Sequence, residues 1–140
     1  MKRVISFILA LVPFLGISAQ DDWANFKRYA ESNKEVQAWP QEKRKVVFMG
    51  NSITQNCYVG RGISGQTTYQ MVLRFYEDVV CLHPQAVVIN GGTNDIAQNN
   101  HPYVEDRTFR NIALMAQIAH QNGIKVILTS ITPCDHYVWR

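Results

Sequence analysis

Ser52 is the residue in this chain best placed to do chemistry. Four apolar residues, Val46-Val47-Phe48-Met49, run into Gly50 and Asn51 and then reach the serine. A short unalternating apolar run bounded by a turn residue reads as a strand of a parallel sheet, covered on both faces. Ligands of such sheets gather at the carboxyl ends of the strands, where Ser52 would stand. A serine there is a candidate nucleophile. It needs a base to take its proton and donors aimed at the oxyanion that forms. The plainer role is to cap the turn that follows the strand.

Two further stretches follow in order, Gly62-Ile63-Ser64-Gly65-Gln66-Thr67-Thr68 and Gly92-Thr93-Asn94-Asp95. With the first they resemble the successive sequence blocks of the SGNH, or GDSL-type, hydrolases, a resemblance covering roughly residues 44 to 134. It implies an α/β fold, a three-layer α/β/α sandwich with a flavodoxin-like parallel sheet. It also implies a serine esterase removing acyl groups from small-molecule or carbohydrate esters, acetyl among them, without a metal or organic cofactor. In that family's terms Ser52 is the nucleophile and its own N–H one oxyanion donor. Gly65 gives a second N–H and Asn94 a side-chain amide. Singly, Gly65 reads as a turn and Asn94-Asp95 as an Asx loop. Asn51 stands where the family more often has aspartate.

Two departures accompany the resemblance. The family's base comes from a late Asp-x-x-His block, and no such spacing occurs here. Asp135 and His136 are adjacent instead. His136 follows a strand at the ligand-facing end and is the candidate substitute base. His83 and His101 read as loop residues beside proline, and His120 as helical. The expectation is weak or absent activity from a domain incomplete at its C-terminal end, a shortened form of a longer enzyme. Second, if Tyr58–Ile63 paired with the first strand, only Asn51–Cys57 would remain to cross over. Parallel neighbours ordinarily need a dozen or more residues, so this stretch is either loop or a place where a segment is lost.

Other functions fit parts of the sequence. Gly60-Arg61-Gly62-Ile63-Ser64-Gly65 has the Gly-x-Gly-x-x-Gly form that cradles a dinucleotide. No convincing strand leads into it, and Asn90 rather than an acid ends the next strand. A catalytically silent domain binding an acyl or sugar ligand is the other alternative.

Several elements must hold these residues. Tyr69, Val72, Leu73, Tyr76, Val79 and Val80 recur at helical spacing and predict a helix with those residues inward, capped by Thr67 or Thr68 and ended by His83-Pro84. Ala86–Ile89 and Lys125–Thr129 read as strands. Glu105–Asn122 reads as a helix with Ile112, Met115, Ala116 and Ala119 inward, closed by Gly123. Before the first strand, Asp21 and Asp22 precede Trp23, Phe26 and Ala30, the pattern of a short amphipathic helix. Gln41–Lys45 reads as a solvated connector. Strand and helix in alternation argue for right-handed parallel crossovers.

Residues 1–19 read as a secretory leader. Lys2 and Arg3 precede an apolar stretch from Val4 to Leu15, and small residues follow to Ala19. The expected division is leader 1–19, helix and linker 20–43 and hydrolase domain 44–140, with the mature chain secreted or periplasmic and not stably inserted in a membrane. Without Lys2 and Arg3 the basic residues fall from 14 to 12 against 11 acids, which gives no nucleic-acid surface. Cys57, Cys81 and Cys134 lack metal spacing and are expected to be buried thiols, with one disulfide as the alternative. Nothing here sets an oligomeric state.

Overall fold

The computed structural model describes residues 22–137; the leader segment lies outside them. Its centre is a parallel four-stranded sheet of β1 (Val46–Gly50), β2 (Gly60–Gly62), β3 (Ala86–Asn90) and β4 (Lys125–Leu128), in the order β2-β1-β3-β4. This is the start of the flavodoxin-like order. Helix α1 (Ala30–Gln37) precedes the sheet. Helix α2 (Thr68–Asp78) joins β2 to β3, the short α3 (Thr93–Ile96) follows β3, and α4 (Glu105–Gln121) leads to β4.

Register decides which side chains the helices cover. Val47 pairs with Val87 and Val87 in turn with Val126, and Met49 pairs with Ile89, so these apolar side chains share one face. Together with Met71 and Phe75 of α2 and Met115 and Ala119 of α4, they form the core. The alternate row, Phe48, Val88 and Ile127, points to the other face. Phe48 and Val88 are half-buried and Ile127 is exposed. The unbroken apolar runs therefore have one deep face and one shallower face. No helix among the described residues is long and apolar enough to cross a membrane.

The short crossover is real, and two glycines make it possible. β2 pairs in parallel with β1, Phe48 with Gly60 and Gly50 with Gly62, after an intervening loop of residues 51–59 that holds one 3-10 turn, Ser52–Thr54. A Cβ on Gly62 would lie 2.1 Å from the Asn51 carbonyl oxygen, and one on Gly60 would lie 2.5 Å from that of Thr54. With hydrogen in place of a side chain, the crossover lies directly on the strands, and no helix is needed. The same close approach accounts for Gly60 and Gly62, the first two glycines of the supposed dinucleotide pattern.

Helix α2 follows the predicted stripe only in part. Val79 and Val80, just past its end, join the core and Val72 packs against it, but the stripe between them is replaced by another face. Tyr76 and Leu73 are exposed, while Met71, Arg74, Phe75 and Asp78 are buried. Arg74 and Asp78, four residues apart, pair at 2.7 Å, so the helix buries a polar pair that a hydrophobic count scores as surface. Near the N-terminus the helix is also displaced. Phe26–Tyr29 forms a 3-10 turn and the α-helix starts only at Ala30. Trp23 and Phe26 are exposed, and the inward residues are Tyr29, Asn33 and Val36. In the connector, Arg44 is half-buried, its side chain donating to the carbonyls of Trp39 and Leu82. All three cysteines are free; Cys134 is exposed and the other two are half-buried, which corrects the expectation of buried thiols.

Candidate active site

Ser52 opens the 3-10 turn at the end of β1. The turn is capped by Asn51, whose side-chain oxygen accepts the Ile53 N–H at 3.0 Å. Asn and Asp do this equally well, which accounts for asparagine at this position and relieves Ser52 of the capping role. The Ser52 side chain is exposed and has no hydrogen-bond partner among the described residues.

Gly65 follows β2 in a left-handed conformation, φ +77°. Its nearest neighbour for an added Cβ is Asn99 Nδ2 at 3.9 Å, so conformation and not space selects glycine. Asn99 donates to the Gly65 carbonyl at 3.1 Å. The Gly65 N–H is unused among the described residues.

Asn94 lies on α3 after Gly92, which turns the chain with φ +110°. Its buried side chain donates to the Gln66 carbonyl at 2.8 Å, one residue from Gly65. A carboxamide has two N–H donors, so one remains. Neighbouring Asp95 is fully buried and accepts from the Thr68 N–H at 2.9 Å and the Thr68 hydroxyl at 2.6 Å. This locks α3 to the start of α2, where a carboxylate also suits the helix dipole. At the same helix start Gln70 reaches back to the Thr67 N–H at 3.2 Å.

Beneath these loops lies a polar cluster that the sequence pattern hides. Arg74 donates to Asp78, to the Gln66 side chain and to the carbonyls of Arg61 and Gly50. Arg61 donates to Asn33 at 2.7 Å, and Asn33 donates to Asp78 at 2.7 Å. Burial pushes both guanidinium groups below their ordinary pKa, and Asp78 works against that shift. The signal available in the sequence was Arg and Asp four residues apart on one helix.

His136 is exposed, and its ring nitrogen pairs with adjacent Asp135 at 2.8 Å. None of its bonds reaches Ser52, Gly65 or Asn94. His101, read as a loop residue, is half-buried beside Asp95 of α3. Its ring lies 4.2 Å from that of Tyr69, and its Nε2 is 3.8 Å from Asp95. Among the described residues no three His, Cys, Asp or Glu side chains gather as a metal ion would require.

An apolar cleft of about 320 Å³ opens beside the Gly91–Gly92 turn, between the ends of β3 and β4 and the first turns of α4. Ile89, Ile96, Tyr103, Phe109, Ile112 and Leu128 are among its walls.

Known proteins resemble this chain in sequence and in shape. A GDSL-like lipase of Bacteroides thetaiotaomicron is 52% identical with a TM-score of 0.78, the match covering 84% of this chain and 63% of that one. A second solved structure, from Bacteroides fragilis, is 49% identical with a TM-score of 0.80, covering 86% and 64%. An acetyl xylan esterase is more distant, at 25% identity and a TM-score of 0.54, covering 59% and 56%. The uncharacterized lipoprotein YqeF of Bacillus subtilis is 32% identical over 95% of this chain and 58% of its own. The chain thus spans about three fifths of the length of these relatives. The family profile described as GDSL-like lipase/acylhydrolase matches residues 21–140, and to that family this chain belongs.

Proposed function

We propose that this chain carries the nucleophile and the oxyanion donors of a serine ester hydrolase acting on carboxylic esters. Ser52 Oγ attacks the ester carbonyl. The N–H groups of Ser52 and Gly65 and the spare amide hydrogen of Asn94 receive the negative charge that develops on oxygen. One observation supports this reading: Asn94 is tied to the carbonyl of Gln66, the residue that follows Gly65, whose N–H is unused among the described residues. The bond ties the element carrying Asn94 to the loop carrying Gly65, which supports a shared role for the two donors. Small-molecule and acetylated carbohydrate esters are the proposed substrates, the latter supported by the likeness to an acetyl xylan esterase.

No imidazole hydrogen-bonds Ser52 among the described residues, so deprotonation is the slow step. His136 is the proposed substitute base. Turnover of p-nitrophenyl acetate is therefore expected to be weak, and covalent capture is the better test. An activated organophosphonate should label Ser52, and Ser52→Ala should abolish the labelling. Absence of labelling at high probe concentration would favour a second reading, a silent domain whose apolar cleft beside Gly91–Gly92 binds an acyl chain. An extracytoplasmic site of action is supported by the Bacillus relative, named a lipoprotein. Export through the 1–19 leader predicts a mature N-terminus near Gln20.

A further inference from the structure

We propose that Arg74 is a positioning residue for the oxyanion site, one guanidinium that fixes both the strand leading to Ser52 and the loop carrying Gly65. The inference rests on the assignment of Ser52, Gly65 and Asn94 above.

Arg74 is 0% exposed. Its Nη2 donates to the Gly50 carbonyl at 3.1 Å, two residues before Ser52. Its Nε donates to Gln66 Oε1 at 2.7 Å. The carbonyl of the same Gln66 receives Asn94 at 2.8 Å. Through Nη1 it also holds the Arg61 carbonyl in β2 and the Asp78 carboxylate, each at 2.7 Å. The connections therefore run from the end of β1 through Arg74 to Gln66, and from Gln66 to Asn94.

Anchoring α2 alone would not call for this side chain. Burying a charged group is costly, and a well-packed apolar residue often serves stability as well or better. A guanidinium instead supplies several N–H groups in a rigid planar fork. Here the fork reaches acceptors on two strands, a loop and its own helix. Asp78 offsets the charge. Lysine could match the charge and part of the length but not the planar set of directions.

The test compares wild type with Arg74→Lys and Gln66→Leu, measuring the organophosphonate labelling of Ser52 as separate inactivation-rate and binding constants. Circular dichroism and melting report the folded fraction. Misplacement of donors predicts a fall in the maximal inactivation rate of roughly tenfold to a hundredfold per folded molecule, with the probe's binding constant little changed. A purely structural role lowers melting temperature and leaves the rate of the folded fraction untouched. Folded Arg74→Lys labelling at the wild-type rate would overturn the proposal while leaving the Ser52 assignment standing. Wild type that never labels would overturn the assignment itself and the proposal with it. Should Arg74→Lys fail to fold, Gln66→Leu stands in, since it cuts the Arg74 link to the loop, together with the Gln66 bond to the Ala24 carbonyl, and spares the Arg74 bonds to Gly50 and Asp78. Wild-type labelling by folded Gln66→Leu would likewise overturn the proposal.

Discussion

The side-chain amide of Asn94 donates to the main-chain carbonyl of Gln66 at 2.8 Å, across 28 positions of sequence. That bond aims the amide and fixes the distance between α3 and the loop after β2. Asn94→Ala should lower the Ser52 labelling rate by about 10²–10³, the usual loss for one oxyanion donor. It should also cost roughly 1–3 kcal/mol in urea unfolding, because the Gln66 carbonyl loses its partner. Asn94→Asp should be worse, since it turns an acceptor toward that carbonyl. Labelling by Asn94→Ala at the wild-type rate would remove Asn94 from the site.

Gly62 and Gly65 are three residues apart and should respond differently to alanine. At Gly65 there is room for a Cβ but the backbone is left-handed, so Gly65→Ala should cost about 1–2 kcal/mol. At Gly62 the added carbon meets the Asn51 carbonyl at 2.1 Å, and backbone cannot move aside as a flexible side chain can. Gly62→Ala should push the crossover off the sheet and displace Ser52. Chemical denaturation should rank Gly62→Ala as the more damaging, and its folded fraction should label slowly.

How much of this was legible follows from what a pattern can encode. The apolar runs at Val46, Ala86 and Lys125 each marked a real strand, and the glycine and asparagine blocks marked the loops at the strand ends. The crossover was misread because its shortness was judged against helices, whereas Gly60 and Gly62 let bare loop pack on the strands. Leu73 and Tyr76 of α2 read as inward because hydrophobic spacing gives no weight to Arg74 and Asp78, which are buried in a polar cluster that satisfies them, each other included. Neither the tie between Asn94 and Gln66 nor the approach of His101 to Asp95 leaves a spacing signal, since both arise when separate elements meet.

Asp95 tests whether α3 is held by α2 or only rests on it. Its carboxylate receives both donors of Thr68, with Thr108 further off at 3.4 Å. Asp95→Ala strands a buried N–H and hydroxyl. The expected loss is about 1.5–3 kcal/mol, the range for hydrogen bonds to a charged group. Amide exchange at Thr68 should quicken in the same variant. Unchanged stability would mean that α3 is secured elsewhere and that Asp95 does not set the position of Asn94.

Acid should loosen the N-terminal turn before the sheet. The Asp22 carboxylate accepts the Phe26 N–H at 2.7 Å and the Lys27 N–H at 2.9 Å. The Lys27 bond does most to hold its pKa below the ordinary value, with the Phe26 bond adding to it and desolvation opposing. A carboxyl depressed in the folded state stabilises the turn above its unfolded pKa and loses that effect as pH falls through the folded one. Corrected for intrinsic exchange, amide protection at Phe26 and Lys27 should stay level from neutrality to about pH 4 and then fall. In Asp22→Asn, which keeps one acceptor oxygen but cannot titrate, the acid-induced fall should disappear. A fall of equal size in that variant would assign the acid sensitivity to another group.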